Sequence, residues 1–446
     1  MYDVIILGAG PAGYVAAEHA GAKGKKVLLI EGDKALGGVC LNRGCIPTKA
    51  FLNSAKLYDH ALHSKAFGVE VTGATFDYGV MKARTEKVQA TLSGGVAAMM
   101  KKYKVDVVTG QGTIVNKNQV KVGDTVYEGT NLLICTGSRP AVPPIPGLAD
   151  NPAVVDSTGI LKAEKMADSL VVIGGGVIGI EFACFHTLLG KKVTVLEMLP
   201  QICGLTDREI AMTIQRKLEG KGASIFTGAK VEKIDGTTVH FTDKTGKAGS
   251  VAADRILVST GRAVNTEGFG LENLNLDMDR RGIKVNERAE TSLPGVYAAG
   301  DVTGRWQLAH FASRQATVAI NNMFGRPDIC RETAVPAVIY TDPEAAAVGL
   351  TEDQAKEKGL KARAIKMPLG ASGRFLAETE GERGFVKAVL GERGELLGMH
   401  VIGPYAGEMI GAACVMIENE MRARDIQEII FPHPTVAEIM KEIMFM

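Results

Sequence analysis

The sequence has no excess of charge of either sign. Its 51 lysines and arginines balance 50 aspartates and glutamates, which leaves a formal net charge of +1. Domains that bind nucleic acid or anionic membrane surfaces usually carry an excess of lysine and arginine. This balance gives no indication of either partner, and we expect neither.

Long apolar runs are also missing. Runs such as Val171–Ile173 fall far short of the roughly 20 residues that a membrane-spanning helix needs. Hydrophobic residues still make up 46% of the 446 residues, which is ordinary for a globular protein. At roughly 100–200 residues per domain, the length predicts about two to four domains.

Cysteines are few and scattered. The seven stand at positions 40, 45, 135, 184, 203, 330 and 414, and only Cys40 and Cys45 are close enough to suggest a local pair. The apolar run Val4–Leu7 follows Met1 almost directly, without the basic region and longer apolar core of a secretory signal. We therefore expect a cytoplasmic location, where structural disulfides are improbable.

Glycine is abundant, at 53 of 446 residues, and two groups of glycines follow short apolar runs. After Val4–Leu7 come Gly8, Gly10 and Gly13 in a GxGxxG pattern, and a second apolar run ends at Glu31. In a strand–turn–helix these glycines permit a tight turn, close approach to a pyrophosphate and helix–strand packing. The acid is placed to accept hydrogen bonds from ribose hydroxyls.

The same pattern recurs at Gly174, Gly176 and Gly179, with Glu197 again 23 residues after the first glycine. Two complete fingerprints predict two dinucleotide sites. A carboxylate at position 197 would repel a 2′-phosphate, so the second site favours NAD over NADP.

Cys40 and Cys45 stand at the start of a helical stretch that continues through Lys49. Residues five apart in an ideal helix have Cα atoms about 8–9 Å apart, beyond the ~7 Å limit for a disulfide. A bond would need a distorted helix start, which Gly44 and Pro47 would accommodate, and it would be labile and catalytic. Two unrelated thiols at a helix end are the alternative.

Several segments together resemble the dihydrolipoamide dehydrogenases, within the FAD- and disulfide-dependent pyridine nucleotide reductases. Phe311, Cys135 and Phe431-Pro432 depart from the usual pattern. The matching segments are the redox motif Gly37–Lys49, then Thr136–Pro140, Ala298–Val302, Leu308–His310, Tyr340–Glu344, Val348–Thr351 and His433–Glu438.

The resemblance implies an α/β fold with two Rossmann-like dinucleotide-binding domains and a C-terminal α+β dimerisation domain. We place an FAD-binding domain at 1–141, an NAD-binding domain at 142–264, a central domain at 265–332 and the dimerisation domain at 333–446. Within these, the composition predicts short strands over 223–260 and helices over 351–359 and 407–421.

The resemblance also implies residue roles. Cys40 would exchange with the substrate and Cys45 would face the flavin, while His433 acts as general base oriented by Glu438. Lys49, paired with Glu181, would stabilise the reduced flavin. The expected FAD contacts are Gly8, Gly10, Gly13, Glu31, Lys49, Gly112, Thr136, Gly137, Asp301 and Ala309, and the expected NAD contacts are Gly174, Gly176, Gly179, Glu197, Val231 and Gly261.

The implied activity is oxidation of protein-bound dihydrolipoamide with reduction of NAD+ by a homodimer. The lipoyl group would be carried by another protein of a 2-oxo acid dehydrogenase, acetoin dehydrogenase or glycine-cleavage system. A reductase for another disulfide or for mercuric ion is the enzyme alternative, and a non-catalytic binding subunit is the alternative of another class. The presence of Cys40, Cys45, His433 and Glu438 argues against an inert subunit.

Overall fold

The computed structural model describes residues 1–204 and 206–446. Contacts divide the chain into two compact units. The first comprises residues 1–50, 80–141 and 261–331, and the second comprises 51–79, 142–260 and 332–446. The bounds of the four predicted domains stay predictions.

The elements alternate strands with helices in the nucleotide-binding parts and become mostly antiparallel near the C-terminus. The strands are β1 (Tyr2–Leu7), β2 (Val27–Glu31), β3 (Asp106–Thr109), β4 (Gly112–Asn116), β5 (Gln119–Val122), β6 (Thr125–Ile134), β7 (Ser138–Pro140), β8 (Val154–Val155), β9 (Ser169–Ile173), β10 (Lys192–Glu197), β11 (Ser224–Thr227), β12 (Lys230–Asp235), β13 (Thr238–Thr242), β14 (Ala248–Ala252), β15 (Arg255–Val258), β16 (Arg262–Val264), β17 (Met278–Asp279), β18 (Gly282–Ile283), β19 (Val296–Ala298), β20 (Ala337–Ile339), β21 (Ala345–Gly349), β22 (Ala362–Pro368), β23 (Phe385–Gly391) and β24 (Leu396–Ile402).

The α-helices are α1 (Pro11–Ala22), α2 (Gly38–Arg43), α3 (Cys45–His63), α4 (Tyr78–Lys102), α5 (Ser157–Lys162), α6 (Val177–Leu188), α7 (Arg208–Gly220), α8 (Ala309–Met323), α9 (Glu352–Glu357), α10 (Gly373–Glu378), α11 (Ala406–Glu418), α12 (Ala423–Gln427) and α13 (Ile439–Glu442). Short 3-10 helices lie at Ser64–Phe67, Leu271–Leu274, Asp301–Thr303, Leu369–Ala371 and Ile443–Phe445.

The first unit is built on a parallel sheet with strand order β3-β2-β1-β6, which β19 joins beside β6. Counting only these parallel strands along the chain gives the order 3-2-1-4-5 of a doubly wound nucleotide-binding sheet. Val4 to Leu7 of β1 are all buried, because a central parallel strand is covered on both faces. Helix α1 begins at Pro11, a residue favoured in the first turn.

The second unit repeats this arrangement with a parallel sheet of order β11-β10-β9-β15-β8. The antiparallel strands β12, β13 and β14 follow, within the range 223–260 where short strands are predicted. Its C-terminal part is an antiparallel sheet of order β20-β21-β24-β23-β22. The predicted helices over 351–359 and 407–421 are present as α9 and α11, with somewhat different ends.

The C-terminal core also contains a buried ion pair. Lys387 of β23 donates from Nζ to Asp207 Oδ2 at 2.8 Å and to Glu209 Oε1 at 2.6 Å. Burial alone would lower the pKa of Lys387, but these two hydrogen bonds raise it above its ordinary value. Asp207 is also the N-cap of α7, so its ion pair with Lys387 joins this helix to the C-terminal sheet.

The predicted fold class is therefore confirmed: two doubly wound α/β sheets are accompanied by a C-terminal α+β part. Among the described residues, no helix combines the length and apolar character that a bilayer crossing requires.

Candidate active site

The first glycine-rich loop connects β1 to α1 by close backbone contacts. Gly8 has φ +101°, and a Cβ there would lie 2.4 Å from the Cys135 carbonyl oxygen. A Cβ on Gly13 would lie 1.7 Å from the carbonyl oxygen of Gly8. Gly10 differs, because its Cβ would meet only Gly38 Cα, at 3.9 Å. Two glycines therefore serve packing, and the one between them leaves room beside the helix N-terminus.

Glu31 is fixed against this loop from the end of β2. Its Oε2 accepts a hydrogen bond from the Ala9 amide at 2.6 Å, and its Oε1 accepts one from the Asp33 amide at 2.9 Å. The side chain is buried. A carboxylate has about four acceptor positions, so two remain for the hydroxyls of a ribose.

The second loop has the same construction. A Cβ on Gly174 would lie 2.3 Å from the Ser259 carbonyl oxygen, and one on Gly179 would lie 2.2 Å from the Gly174 carbonyl oxygen. A Cβ on Gly176 would meet nothing within 4 Å, and the φ of this residue is an unstrained −66°. No described protein atom therefore excludes a side chain at position 176, whereas close approach of a pyrophosphate to the backbone would.

Glu197 accepts hydrogen bonds from two backbone amides, as Glu31 does. Its Oε2 accepts from the Gly175 amide at 2.5 Å, and its Oε1 accepts from the Leu199 amide at 2.7 Å. Met198 and Leu199 beside it are exposed and apolar. A carboxylate with two apolar neighbours suits two neutral ribose hydroxyls better than a phosphate dianion.

The redox segment is interrupted where the sequence predicts distortion. Helix α2 ends at Arg43, Gly44 adopts φ −150° and ψ −111°, and α3 begins at Cys45. Thr48 then donates both its amide, at 3.1 Å, and its hydroxyl, at 2.7 Å, to the Gly44 carbonyl. The break brings the Cys40 and Cys45 side chains into hydrogen-bonding contact as two thiols.

Cys40 holds its proton strongly in this form. The hydrogen bond to Cys45 and burial raise the pKa of the Cys40 thiol far above its ordinary value, and the Lys49 ammonium acts in the opposite direction. Because a thiolate rather than a thiol is the nucleophile, a reaction in which the Cys40 thiol itself attacks requires a base.

His433 and Glu438 form a hydrogen-bonded pair after α12. His433 Nδ1 lies 2.9 Å from Glu438 Oε2, and the side chain of His433 is 76% exposed. A carboxylate only accepts hydrogen bonds, so Nδ1 carries the proton and Nε2 is left as the basic nitrogen. The His433–Pro434 peptide bond is cis.

Asp301 has partners that the sequence did not reveal. Its Oδ2 accepts from the Ser138 hydroxyl at 2.5 Å and lies 3.8 Å from Arg262 Nε. Arg262 in turn donates to the Ser138 hydroxyl at 2.7 Å. Ser138 is 163 positions from Asp301 and 124 positions from Arg262, and neither Ser138 nor Arg262 was among the predicted site residues.

The other predicted cofactor contacts in loops and strands differ in how much open space lies beside them. Gly137 and Gly261 have positive φ and open space where a Cβ would stand. Thr136 instead donates its hydroxyl to the Asn265 carbonyl at 2.7 Å. A Cβ on Gly112 would lie 2.5 Å from Leu7 Cδ1 and 3.1 Å from Ile30 Cγ2, so these side chains favour glycine at that position.

Three further predicted residues lie on regular elements or in the core. Ala309 begins α8, and Val231 lies in β12 against a hydrophobic core. Glu181 is buried, and its Oε1 accepts from the Tyr340 amide at 3.0 Å.

Comparison with known protein families gives matches over most of the chain. Residues 2–316 match the model of the pyridine nucleotide-disulphide oxidoreductases, and residues 335–444 match the dimerisation domain of the same group. The chain belongs to the pyridine nucleotide-disulphide oxidoreductase family. The resemblance inferred from the motifs is confirmed.

Two similar family members show that the likeness extends over the whole chain. The dihydrolipoyl dehydrogenase of Geobacillus stearothermophilus is 39% identical, covering 99% of this chain and 95% of that protein. Dihydrolipoyl dehydrogenase 3 of Pseudomonas putida is 40% identical, covering 99% and 97%.

Solved structures of the family superpose closely. LpdA from Mycobacterium tuberculosis gives a TM-score of 0.91 at 26% identity, over 100% of this chain and 99% of that chain. The HOCl-induced flavoprotein disulfide reductase RclA from Escherichia coli gives 0.89 at 28% identity, over 100% of both chains.

The glycine contacts lead to a paired test of the second dinucleotide site. Gly176→Ala should leave the thermal unfolding midpoint unchanged, because the new methyl group meets no protein atom, and should raise the KM for NAD+ about tenfold or more. Gly179→Ala should lower the unfolding midpoint by several degrees, because helix and strand must separate. Differential scanning fluorimetry and steady-state kinetics measure the two effects. A normal KM in Gly176→Ala would contradict the assignment of this loop.

Proposed function

We propose that this family member oxidises dihydrolipoamide to lipoamide and reduces NAD+ to NADH. The observation that carries the proposal is the contact between the Cys40 and Cys45 thiols, in a chain that also presents the exposed His433–Glu438 pair, whose imidazole can take the proton of a substrate thiol. The names of the full-length relatives support this substrate.

The two cofactor sites fit FAD and NAD. Open space beside Gly10 and Gly176, together with the partly occupied carboxylates of Glu31 and Glu197, suits a pyrophosphate and a ribose at each loop. We assign FAD to the first loop and NAD to the second. Bound FAD and NAD supply the electron transfer between the dithiol and the nicotinamide.

The protein's own chemistry begins with its Cys40–Cys45 disulfide. His433 Nε2 takes a proton from one thiol of dihydrolipoamide, and the resulting thiolate attacks Cys40 Sγ. The Cys40–Cys45 bond breaks, a mixed disulfide forms and Cys45 leaves as a thiolate. The second substrate thiol then closes the lipoamide ring and displaces Cys40. Its proton passes to the departing Cys40 sulfur, so Cys40 ends as a thiol, Cys45 as a thiolate, and the first proton stays on His433. Substrate loses two electrons, and the cysteine pair gains them.

Glu438 and Lys49 have supporting parts in this scheme. The Glu438 carboxylate fixes the tautomer of His433 and stabilises the imidazolium that forms. Lys49 favours negative charge at Cys40, and we propose that it is paired with Glu181 and stabilises the reduced flavin.

We further propose a homodimer in which His433 of one subunit serves the cysteine pair of the other. The match of residues 335–444 to a dimerisation domain and the exposure of the His433 side chain support this arrangement. The lipoyl group would come from a separate protein of a 2-oxo acid dehydrogenase, acetoin dehydrogenase or glycine-cleavage system. The cytoplasmic location stays a prediction.

A comparison of substrates tests the reaction. Purified enzyme should turn over dihydrolipoamide with NAD+ far faster than it reduces glutathione disulfide or mercuric ion with NADH or NADPH. Steady-state kinetics with each pair measure the preference. A higher kcat/KM for glutathione disulfide or mercuric ion would replace the proposal with the corresponding reductase.

The assignment of Cys45 to the flavin has a spectroscopic test. Two-electron reduction should produce a long-wavelength absorbance from the Cys45 thiolate against oxidised flavin. Cys45→Ser should abolish this band. Cys40→Ser, the matched control, should show the band before any reductant is added, because it has no disulfide and the Cys45 thiolate already faces oxidised flavin. A band that survives only in Cys45→Ser would reverse the two roles.

The base has a kinetic test. His433→Gln should slow dihydrolipoamide oxidation by about 10²–10⁴-fold, while NADH oxidation by an artificial dye continues because it bypasses proton transfer at the thiols. His63→Gln, at another exposed histidine, should change neither rate. Equal loss of both activities in His433→Gln would count against the role as base.

A further inference from the structure

The loop between α12 and α13 carries the acid–base pair but lies outside helices and strands. Phe431 packs partly against the C-terminal core, and Val436 is buried in it. Between these two anchors, residues 432–434 are exposed. The position of His433 therefore depends on the hydrogen bonds that hold this loop.

Thr435 and Glu438 form a reciprocal hydrogen-bonded pair within the loop. The Glu438 amide donates to Thr435 Oγ1 at 3.3 Å, and the Thr435 amide donates to Glu438 Oε1 at 3.4 Å. The T-x-x-E spacing and both bonds are those of a capping box. Thr435 Oγ1 also donates to the Pro432 carbonyl at 2.8 Å.

The carboxylate of Glu438 is consequently divided between two partners. Oε1 closes the capping box with Thr435, and Oε2 lies against His433 Nδ1. A shift of the Thr435 backbone would therefore move the carboxylate, and with it the imidazole ring.

Ser372 fixes that backbone from another part of the chain. Its hydroxyl donates to the Thr435 carbonyl at 3.0 Å and accepts from the Phe375 amide at 3.4 Å, as the N-cap of α10. Ser372 is only 3% exposed, so water competes little for the bond. Among the described residues, it supplies the one hydrogen bond that reaches the backbone of 432–435 from outside the loop 431–438.

We propose that Ser372 is a positioning residue for the acid–base pair, acting through the Thr435 carbonyl. The inference rests on the proposed function, because it assumes that His433 is the base. Ser372 touches neither substrate nor cofactor in this scheme. Its loss should affect the step that needs an oriented imidazole and leave electron transfer from NADH to a dye intact.

Ser372→Ala tests the proposal. The kcat for dihydrolipoamide should fall about tenfold, since a displacement near 1 Å of a catalytic group can cost up to about 10²-fold. The KM for NAD+ and the NADH–dye activity should stay within about twofold of the original. Ser372→Thr retains the hydroxyl donor and should restore most of the lost kcat.

A matched control separates positioning from the loss of a helix cap. Thr351 caps α9 in the same unit through its own capping box with Gln354. Thr351→Ala removes a comparable cap without contact to the loop and should leave the kcat for dihydrolipoamide unchanged. An equal fall in Thr351→Ala and Ser372→Ala would overturn the proposal.

A double mutant tests directly whether Ser372 acts through His433. If Ser372 acts through His433, adding Ser372→Ala to His433→Gln should cause no further loss of dihydrolipoamide turnover. A full additional tenfold loss would show a different route and overturn the inference. If His433→Gln alone leaves turnover intact, the base assignment fails and this inference fails with it. If His433→Gln lowers dihydrolipoamide turnover but Ser372→Ala does not, the proposed function stands and the positioning role of Ser372 is wrong.

Discussion

Close contact between backbone atoms at the two glycine-rich loops is the constraint on which the molecule depends. Gly13 and Gly179 each lie so near a preceding carbonyl that a Cβ would overlap its oxygen. Each contact fixes a helix, α1 or α6, against the strand that precedes it, β1 or β9, which places the helix N-terminus at the carboxyl end of that strand. Sites for two dinucleotides follow from one packing arrangement used twice.

Local patterns made much of this predictable. The strands, the glycines and the acids at 31 and 197 belong to one continuous segment each, so period and spacing were enough to find them. The break at Gly44 was likewise foreseeable, because an undistorted helix holds residues five apart too far from each other for a disulfide.

Contacts between distant segments were not predictable in the same way. Ser138 meets Asp301 and Arg262 only because β7, β16 and the segment after β19 fold together. The bond from Ser372 to Thr435 likewise spans 63 positions. The capping box at Thr435 did leave a local signal, the T-x-x-E spacing. The same residues also belong to the motif that predicts His433 as the base, so the spacing alone did not indicate a capping role.

The carboxylates of Glu31 and Glu197 hold their loops in place before any ligand arrives. Each accepts two backbone amides, so the group that suits a ribose also maintains the shape of the phosphate-binding turn. Nucleotide preference and loop integrity are therefore inseparable at these positions. An enzyme engineer who exchanges Glu197 for a cation must also provide new acceptors for the Gly175 and Leu199 amides, and a single substitution does not do so.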